Sequence, residues 1–369
     1  MSVYDLAIAG AGPAGSVLAL LAARARYRVL LVEKSNFDRR RFGETAPPEL
    51  RQALTRVGLE HLAQAPLCRD APEVLSVWGS DEPRSRHHIF SPYGTALHLD
   101  RRAFDEALAL AARDAGADLR LGCAARFATE PRGGYIVQLS TGERIRANAA
   151  VLATGRAGGG LGLAYVRQYL DSNVAVAARF SLPAGHLDTR TVIEAVPGGW
   201  FYLAALPGNE VVAVFITLAT LVPSERRARF RWWLEALAKT SVVRSALNRC
   251  RLPENLSVAN ARASFARSGA GDHWLAIGDA RIAPDPLSGQ GIIWAIDDAA
   301  SAMELLTRMH WRDLAEEMRA RTLRDVEAYL AERSRVYLSE QRFTDDAYWS
   351  AVSRSSAIPP HRPAVPADR

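Results

Sequence analysis

The chain has 369 residues, 49% of them hydrophobic, and a net charge of +6. That length exceeds one ordinary core and fits two globular domains, one of them discontinuous. Cys68, Cys123 and Cys250 are widely spaced and form no C-x-x-C pair, which argues against a disulfide framework or a metal site. The 46 basic residues are almost all arginine, with lysine only at Lys34 and Lys239. The arginine-rich stretches at 39–41 and 226–231 are short and lack interleaved aromatics, so they point away from a nucleic-acid groove.

The first element is an apolar strand, Tyr4 to Ala9, which enters Gly10-Ala11-Gly12-Pro13-Ala14-Gly15 and an Ala/Leu-rich helix. The next strand ends on Glu33. This order is a dinucleotide fingerprint: Gly10 permits the tight turn, Gly12 lets backbone amides approach a pyrophosphate, and Gly15 lets helix and strand pack closely. Glu33 lies where it can reach a ribose diol. Because the strand starts by Val3, no signal peptide is expected. No apolar run is long enough to span a bilayer, and a reducing, cytoplasmic setting is expected.

Residues 44–58 read as a loop leading into a helix, with Pro47 and Pro48 near its start. A second helix is predicted over 99–115, with Asp100 as N-cap and Ala103, Phe104, Ala107, Leu108 and Ala111 on one face. A hairpin over 135–139 and 145–147 turns at Thr141-Gly142, and a short buried strand, 149–153, ends in Thr154-Gly155. From 173 to 258 the pattern becomes alternating strands at 174–180, 191–196, 200–206 and 211–217, interrupted by a helix at 224–238. Such a sheet is expected to cover a cofactor's reactive ring. A buried strand returns at Trp274, a helix starts at Gly291, and a long charged helix spans 311–343. The Pro-rich tail is expected to be disordered.

Taken together, the N-terminal fingerprint, Asp100-Arg101-Arg102-Ala103-Phe104-Asp105, Ala153-Thr154-Gly155, and Gly278-Asp279 followed by Pro286-Leu287-Ser288-Gly289-Gln290-Gly291 resemble FAD-dependent monooxygenases and reductases. The resemblance covers nearly the whole chain. It is to the branch of geranylgeranyl reductases, tryptophan halogenases and LodB-type flavoproteins that help mature quinone-cofactor oxidases, with the last group nearest. It implies a mixed α/β fold of para-hydroxybenzoate hydroxylase-like architecture: a Rossmann-type FAD-binding domain over 1–72, 99–170 and 259–310, with an inserted antiparallel-sheet substrate domain over 73–98 and 171–258. A C-terminal helix at 311–345 and a tail at 346–369 complete the expectation.

The resemblance assigns Gly10, Gly12, Pro13, Ala14 and Gly15 to the FAD pyrophosphate, and Glu33 to the adenosine ribose, with Lys34 beside it. Arg101 falls beside the phosphates, with Arg41, Ala125, Ala153, Thr154 and Gly155 as further cofactor contacts. Gly278 and Asp279 go to the ribityl or pyrophosphate end. Pro286, Ser288, Gly289, Gln290 and Gly291 would set a helix N-terminus against the flavin N1 and C2 carbonyl, where reduced flavin carries negative charge.

Departures from the family patterns narrow the chemistry. Gly43-Glu44-Thr45 matches the halogenase loop, yet no lysine occurs between Lys34 and Lys239, and the W-x-W-x-I-P signature is replaced by a segment beginning Gly199-Trp200-Phe201-Tyr202. Halogenation is therefore disfavoured. The reductase motif Y-x-W-x-F-P is matched only loosely, whereas Trp200 to Tyr202 and the 335–343 segment look more like the LodB-type group. No aspartate follows Ala153-Thr154-Gly155, so electrons are expected from a weakly held NAD(P)H or from a separate reductase.

The candidate catalytic residues are Glu44, His98, Trp200, Tyr202 and Ser288, with Glu194 in another segment able to line the chamber. The expected function is hydroxylation of an aromatic group, as a small molecule or as a Trp or Tyr side chain of a peptide or precursor protein. The alternatives are reduction of an alkene and a flavin-binding assembly factor for a quinone-cofactor enzyme.

Overall fold

The computed structural model describes residues 3–355 except 132, 157, 182–188 and 254. Its first sheet has a parallel core in which Val3–Ala9 lies between Val29–Val32 and Arg144–Leu152. Asp118–Arg120 extends one side and Trp274–Ala276 the other, both parallel. Val29–Val32, Trp274–Ala276 and the 149–152 end of the Arg144–Leu152 strand are continuous apolar runs because both faces are covered there. One face packs against the helices Pro13–Arg24, Arg101–Asp114 and Gly291–Arg308. The other is covered by the hairpin Ala125–Thr129 and Tyr135–Leu139.

Asp100 caps the 101–114 helix, its side chain accepting from the Ala103 amide. That matches the predicted cap. The Trp274 strand returns to the first sheet after the whole second sheet has been built, so the nucleotide-binding layer is discontinuous in sequence.

The second sheet has seven strands, ordered Ser257–Asn260, Asn173–Ser181, Glu210–Leu218, Gly199–Leu206, Thr191–Val196, Glu73–Val77 and Arg84–His87. Every neighbouring pair is antiparallel except 191–196 with 73–77, which is parallel. One face buries Phe201, Phe215 and Trp233 beneath the helices Arg226–Ala238 and Val242–Leu247. The opposite face buries Trp200, Ile216, Tyr337, Tyr348 and Trp349.

Three boundaries differ from the sequence reading. Residues 96–98, expected in the second sheet, pair instead with Thr45–Ala46 and Cys68–Ala71 in a small separate sheet. The C-terminal helix runs from Trp311 to Leu338 and stops short of 343. The chain turns there because buried Glu340 accepts from the Gly79 amide and from Arg342. Residues 346–355, expected as tail, contain the helix Ala347–Ser355, with Tyr348 and Trp349 wholly buried against the second sheet. Burying two large aromatics fixes this segment against the sheet. The remainder of that expected tail, 356–369, lies outside the described residues.

Candidate functional site

The Gly10–Gly15 turn is shaped by close approach. Gly10 has φ +106°, and a Cβ there would lie 2.3 Å from the Ala153 carbonyl oxygen. A Cβ on Gly15 would lie 1.9 Å from the Gly10 oxygen, so the turn, the following helix and the 144–152 strand are locked together. Gly12 is different. Nothing lies within 4 Å of a Cβ there, and the helix it opens carries no side-chain cap. An uncapped helix start facing open space is suited to a phosphate.

Glu33 follows the second strand and is buried, accepting from the Ala11 amide at 2.9 Å and from Ser35 through its other oxygen. Its carboxylate keeps further lone pairs for a ribose diol. Lys34 beside it is exposed. The Cys123 amide bonds the Glu33 carbonyl, which brings the start of the Ala125 strand alongside the same corner.

Arg41 and Arg101 converge on Asp105. Arg41 reaches it at 2.9 Å and Arg101 at 3.1 Å, while Arg101 also donates to the Phe42 and Gly43 carbonyls. Asp105 therefore orients both arginines and the loop between them. Its position four residues after Arg101, on one helix face, was the available signal for it, and the sequence reading assigned it no role.

On the opposite side, the Thr154 hydroxyl is buried with no hydrogen-bond partner among the described residues. Asp279 pairs with Arg156 at 3.1 Å, and Arg156 also donates to the Pro284 carbonyl. Gly278 has φ +58°, and a Cβ on it would lie 2.6 Å from the Ala14 side chain, so the strand end at 276 abuts the first helix. Its amide donates to buried Asp298.

After Gly278 the chain passes through Asp285 into the turn Pro286–Ser288, then Gly289 in the left-handed conformation, and then the helix from Gly291. Asp285 holds this turn by accepting from the Leu287 amide, and the Ser288 hydroxyl accepts from the Gln290 amide. The 291–308 helix has no side-chain cap, and a Cβ at Gly289 or Gly291 would meet open space. The Ala153–Gly155 strand end and Gly278 thus adjoin one uncapped helix start, and the Gly289–Gly291 turn supplies a second. The buried, partnerless Thr154 hydroxyl and the Gly12 opening fit a bound dinucleotide.

The catalytic candidates separate into two groups. Glu44 and Tyr202 come together: Glu44 accepts from the Gly43 amide and pairs with Arg179 at 3.1 Å, and its neighbour Thr45 shares a 2.5 Å hydrogen bond with the Tyr202 hydroxyl. Burial raises the Glu44 pKa against the opposing pull of Arg179. Burial, then the Glu44 charge, holds the Tyr202 pKa well above its ordinary value.

The other candidates have structural surroundings. His98 is wholly enclosed, with Nδ1 against the Ala205 carbonyl and Nε2 against the Thr191 hydroxyl, which places it in the joint between the small sheet and the second sheet. Glu194 accepts from the Ser241, Val242 and Val243 amides and so caps the 242–247 helix. Trp200 is buried, its indole N–H donating to the Tyr337 and Tyr348 hydroxyls. A single alternation pattern could not tell these packed positions from open ones.

Fold and site together define an FAD-dependent oxidoreductase: a Rossmann-type nucleotide layer joined to a second sheet. The family model for tryptophan halogenases matches residues 80–365, and the chain belongs to that family. It is 26% identical over 367 residues to the FAD-dependent oxidoreductase LodB of Marinomonas mediterranea, covering 97% of this chain and 99% of LodB. It is 29% identical over 325 residues to menaquinone reductase of Mycobacterium tuberculosis, covering 84% and 78% of the two chains.

Among solved structures, the myxobacterial chondrochloren halogenase CndH matches with a TM-score of 0.83 at 22% identity over 95% of this chain and 86% of CndH. The peptidyl tryptophan dihydroxylase QhpG, described as essential for tryptophylquinone cofactor biogenesis, matches with a TM-score of 0.75 at 21% identity over 95% and 79%. These likenesses carry the fold. Among the described residues no helix is long and apolar enough to cross a membrane.

Proposed function

We propose that this protein is a monooxygenase that hydroxylates an aromatic side chain, Trp or Tyr, of a peptide or partner protein. The observation that carries this reading is the position of the chain's two lysines. Lys34 is exposed beside Glu33, and Lys239 ends the 226–238 helix on the outer face of the second sheet, so neither accompanies the Gly43–Thr45 loop where the family's halogenases place theirs. The full-length likeness to LodB and the fold shared with QhpG support the same choice.

FAD, when bound, supplies the activation of oxygen. The residues of this chain then have three tasks. The Gly10–Gly15 turn, Glu33 and Thr154 hold the dinucleotide, and the 291–308 helix start offers amides to negative charge. Glu44, buried and paired with Arg179, lies beside Tyr202, and burial raises its pKa. The Trp200 face of the sheet excludes water. In balance, one oxygen atom enters the ring and the other leaves as water, with two electrons from NAD(P)H or a separate reductase.

The test is oxidation of NADH and NADPH by FAD-loaded protein with Trp- and Tyr-containing peptides, followed by mass spectrometry. A gain of one oxygen per event supports the reading. Peroxide release alone, or halogen incorporation when chloride or bromide is supplied, overturns it. Alkene reduction is the second reading, favoured by the likeness to menaquinone reductase, and anaerobic turnover of a prenylated quinone would select it.

A further inference from the structure

The 84–87 strand is the outer edge of the seven-stranded sheet, and all four of its residues are exposed. An open edge presents unpaired backbone donors and acceptors, a template for another strand. Arg84 and Arg86 project from the same face, since alternate residues share a face. Neither has an ion-pair partner among the described residues. At the end of this edge Ile89 is 80% exposed and Phe90 94% exposed. Two adjacent large apolar side chains held almost fully in water are unlike the scattered exposure normal for a surface.

We infer that the Arg84–His87 edge and the Ile89–Phe90 tip together form a docking site for an acidic, extended segment of a partner protein, which adds a strand to the sheet. The three parts divide the task. Backbone hydrogen bonds along the edge supply affinity, Arg84 and Arg86 select negative charge, and Ile89 and Phe90 fix one end of the segment. The same arginines guard the edge against self-association, which the apolar tip would otherwise invite.

A membrane surface could also accept an apolar tip flanked by basic residues. The open edge decides against it, because hydrocarbon leaves unpaired backbone groups unsatisfied whereas a peptide strand satisfies them. That the partner is the polypeptide bearing the oxidised side chain rests on the proposed function. The docking itself does not.

The experiment titrates full-length, FAD-loaded protein into a fluorescein-labelled ten-residue peptide of alternating glutamate and valine, read by anisotropy. Saturable binding is expected, with a matched lysine–valine peptide failing to bind. The double variants Ile89→Ser/Phe90→Ser and Arg84→Glu/Arg86→Glu should each weaken binding at least tenfold while keeping the wild-type FAD content. The inference is overturned if the glutamate–valine peptide does not bind, or if either double variant binds it as the wild type does. Co-sedimentation with phosphatidylglycerol vesicles in place of peptide binding overturns it in favour of a membrane. Failure of the proposed function would appear separately, as peptide docking without oxygen insertion.

Discussion

The Tyr337 hydroxyl donates to Asp285 Oδ2 at 2.9 Å, fastening the C-terminal helix to the turn that opens the 291–308 helix. Around this bond the Asp285 amide donates to the Tyr329 hydroxyl, Asn173 donates to the same carboxylate oxygen, and Trp200 donates to Tyr337 and Tyr348. Two segments distant in sequence, the Asn173 strand and the C-terminal helix, therefore meet at the residue preceding Pro286, and Trp200 and Tyr348 join them through Tyr337. In a buried network each bond costs more to lose than a surface bond, because the abandoned group cannot turn to water.

Tyr337→Phe should lower stability by about 1–3 kcal/mol, the cost of leaving part of the Asp285 carboxylate unsatisfied. It should also loosen FAD, since the turn that Asp285 holds is assigned to the cofactor. Thermal melting and flavin-fluorescence titration measure the two effects. Unchanged FAD affinity beside a lowered melting temperature would show that this bond serves the fold alone.

Gly12→Ala and Gly15→Ala should separate cofactor binding from folding. The Gly15 substitution places a methyl 1.9 Å from a backbone oxygen and must move the helix or the turn. A loss of both stability and FAD is expected. At Gly12 the methyl meets open space, so the protein should melt as wild type does while FAD binding falls at least tenfold. Wild-type flavin content in Gly12→Ala would remove the assignment of this opening to the pyrophosphate.

These contrasts show which parts of the molecule were legible in the sequence. The Gly10–Gly15 turn is local: strand, glycines and helix lie side by side in the chain, so steric need shows directly in residue type. The Asp285 network is the reverse case, because its partners Asn173 and Tyr337 come from the second sheet and the C-terminal helix. Nothing in the spacing of Asp285 and Tyr337 brings them together. Glu194 and His98 carried chemically capable side chains in plausible strands, yet the first caps a helix and the second ties two sheets. Residue type gave their chemistry, and only packing decided its use. Glu44 and Tyr202 were both singled out from the loop and aromatic motifs, and their neighbourhood depends on Thr45 pairing across to the second sheet.

Asp171 should leave a measurable pH signature. Burial, then the nearby Asp285 charge, raises its pKa to about 6 against the pull of Arg333. Because the folded pKa lies above the ordinary value of 3.8, the native state binds the extra proton. Stability from this group is thus full at low pH and lost as pH rises through about 6. Asp171→Asn removes the titration. Between pH 4 and 7 the variant should gain on the wild type by up to about 3 kcal/mol, as the wild type loses what protonation of Asp171 contributed. Urea unfolding across that range reads the gap, and a gap independent of pH would show that Asp171 is ionised throughout.

Trp200 and Tyr202 stand two residues apart on one strand, and Trp200→Phe and Tyr202→Phe should differ in kind. Trp200→Phe removes a buried indole together with its two hydroxyl partners and should cost about 2–4 kcal/mol. Its effect on catalysis should follow from loss of folded protein. Tyr202→Phe gives up one hydrogen bond to Thr45 and should cost about 1 kcal/mol. If Tyr202 stands with Glu44 beside the reacting ring, this variant should still bind FAD and oxidise NAD(P)H while releasing more peroxide per oxygen inserted. The measurement is the ratio of hydroxylated peptide to peroxide at equal flavin content. A wild-type ratio in Tyr202→Phe, with Glu44→Gln altering it, would leave the carboxylate as the residue on that wall that governs the proton.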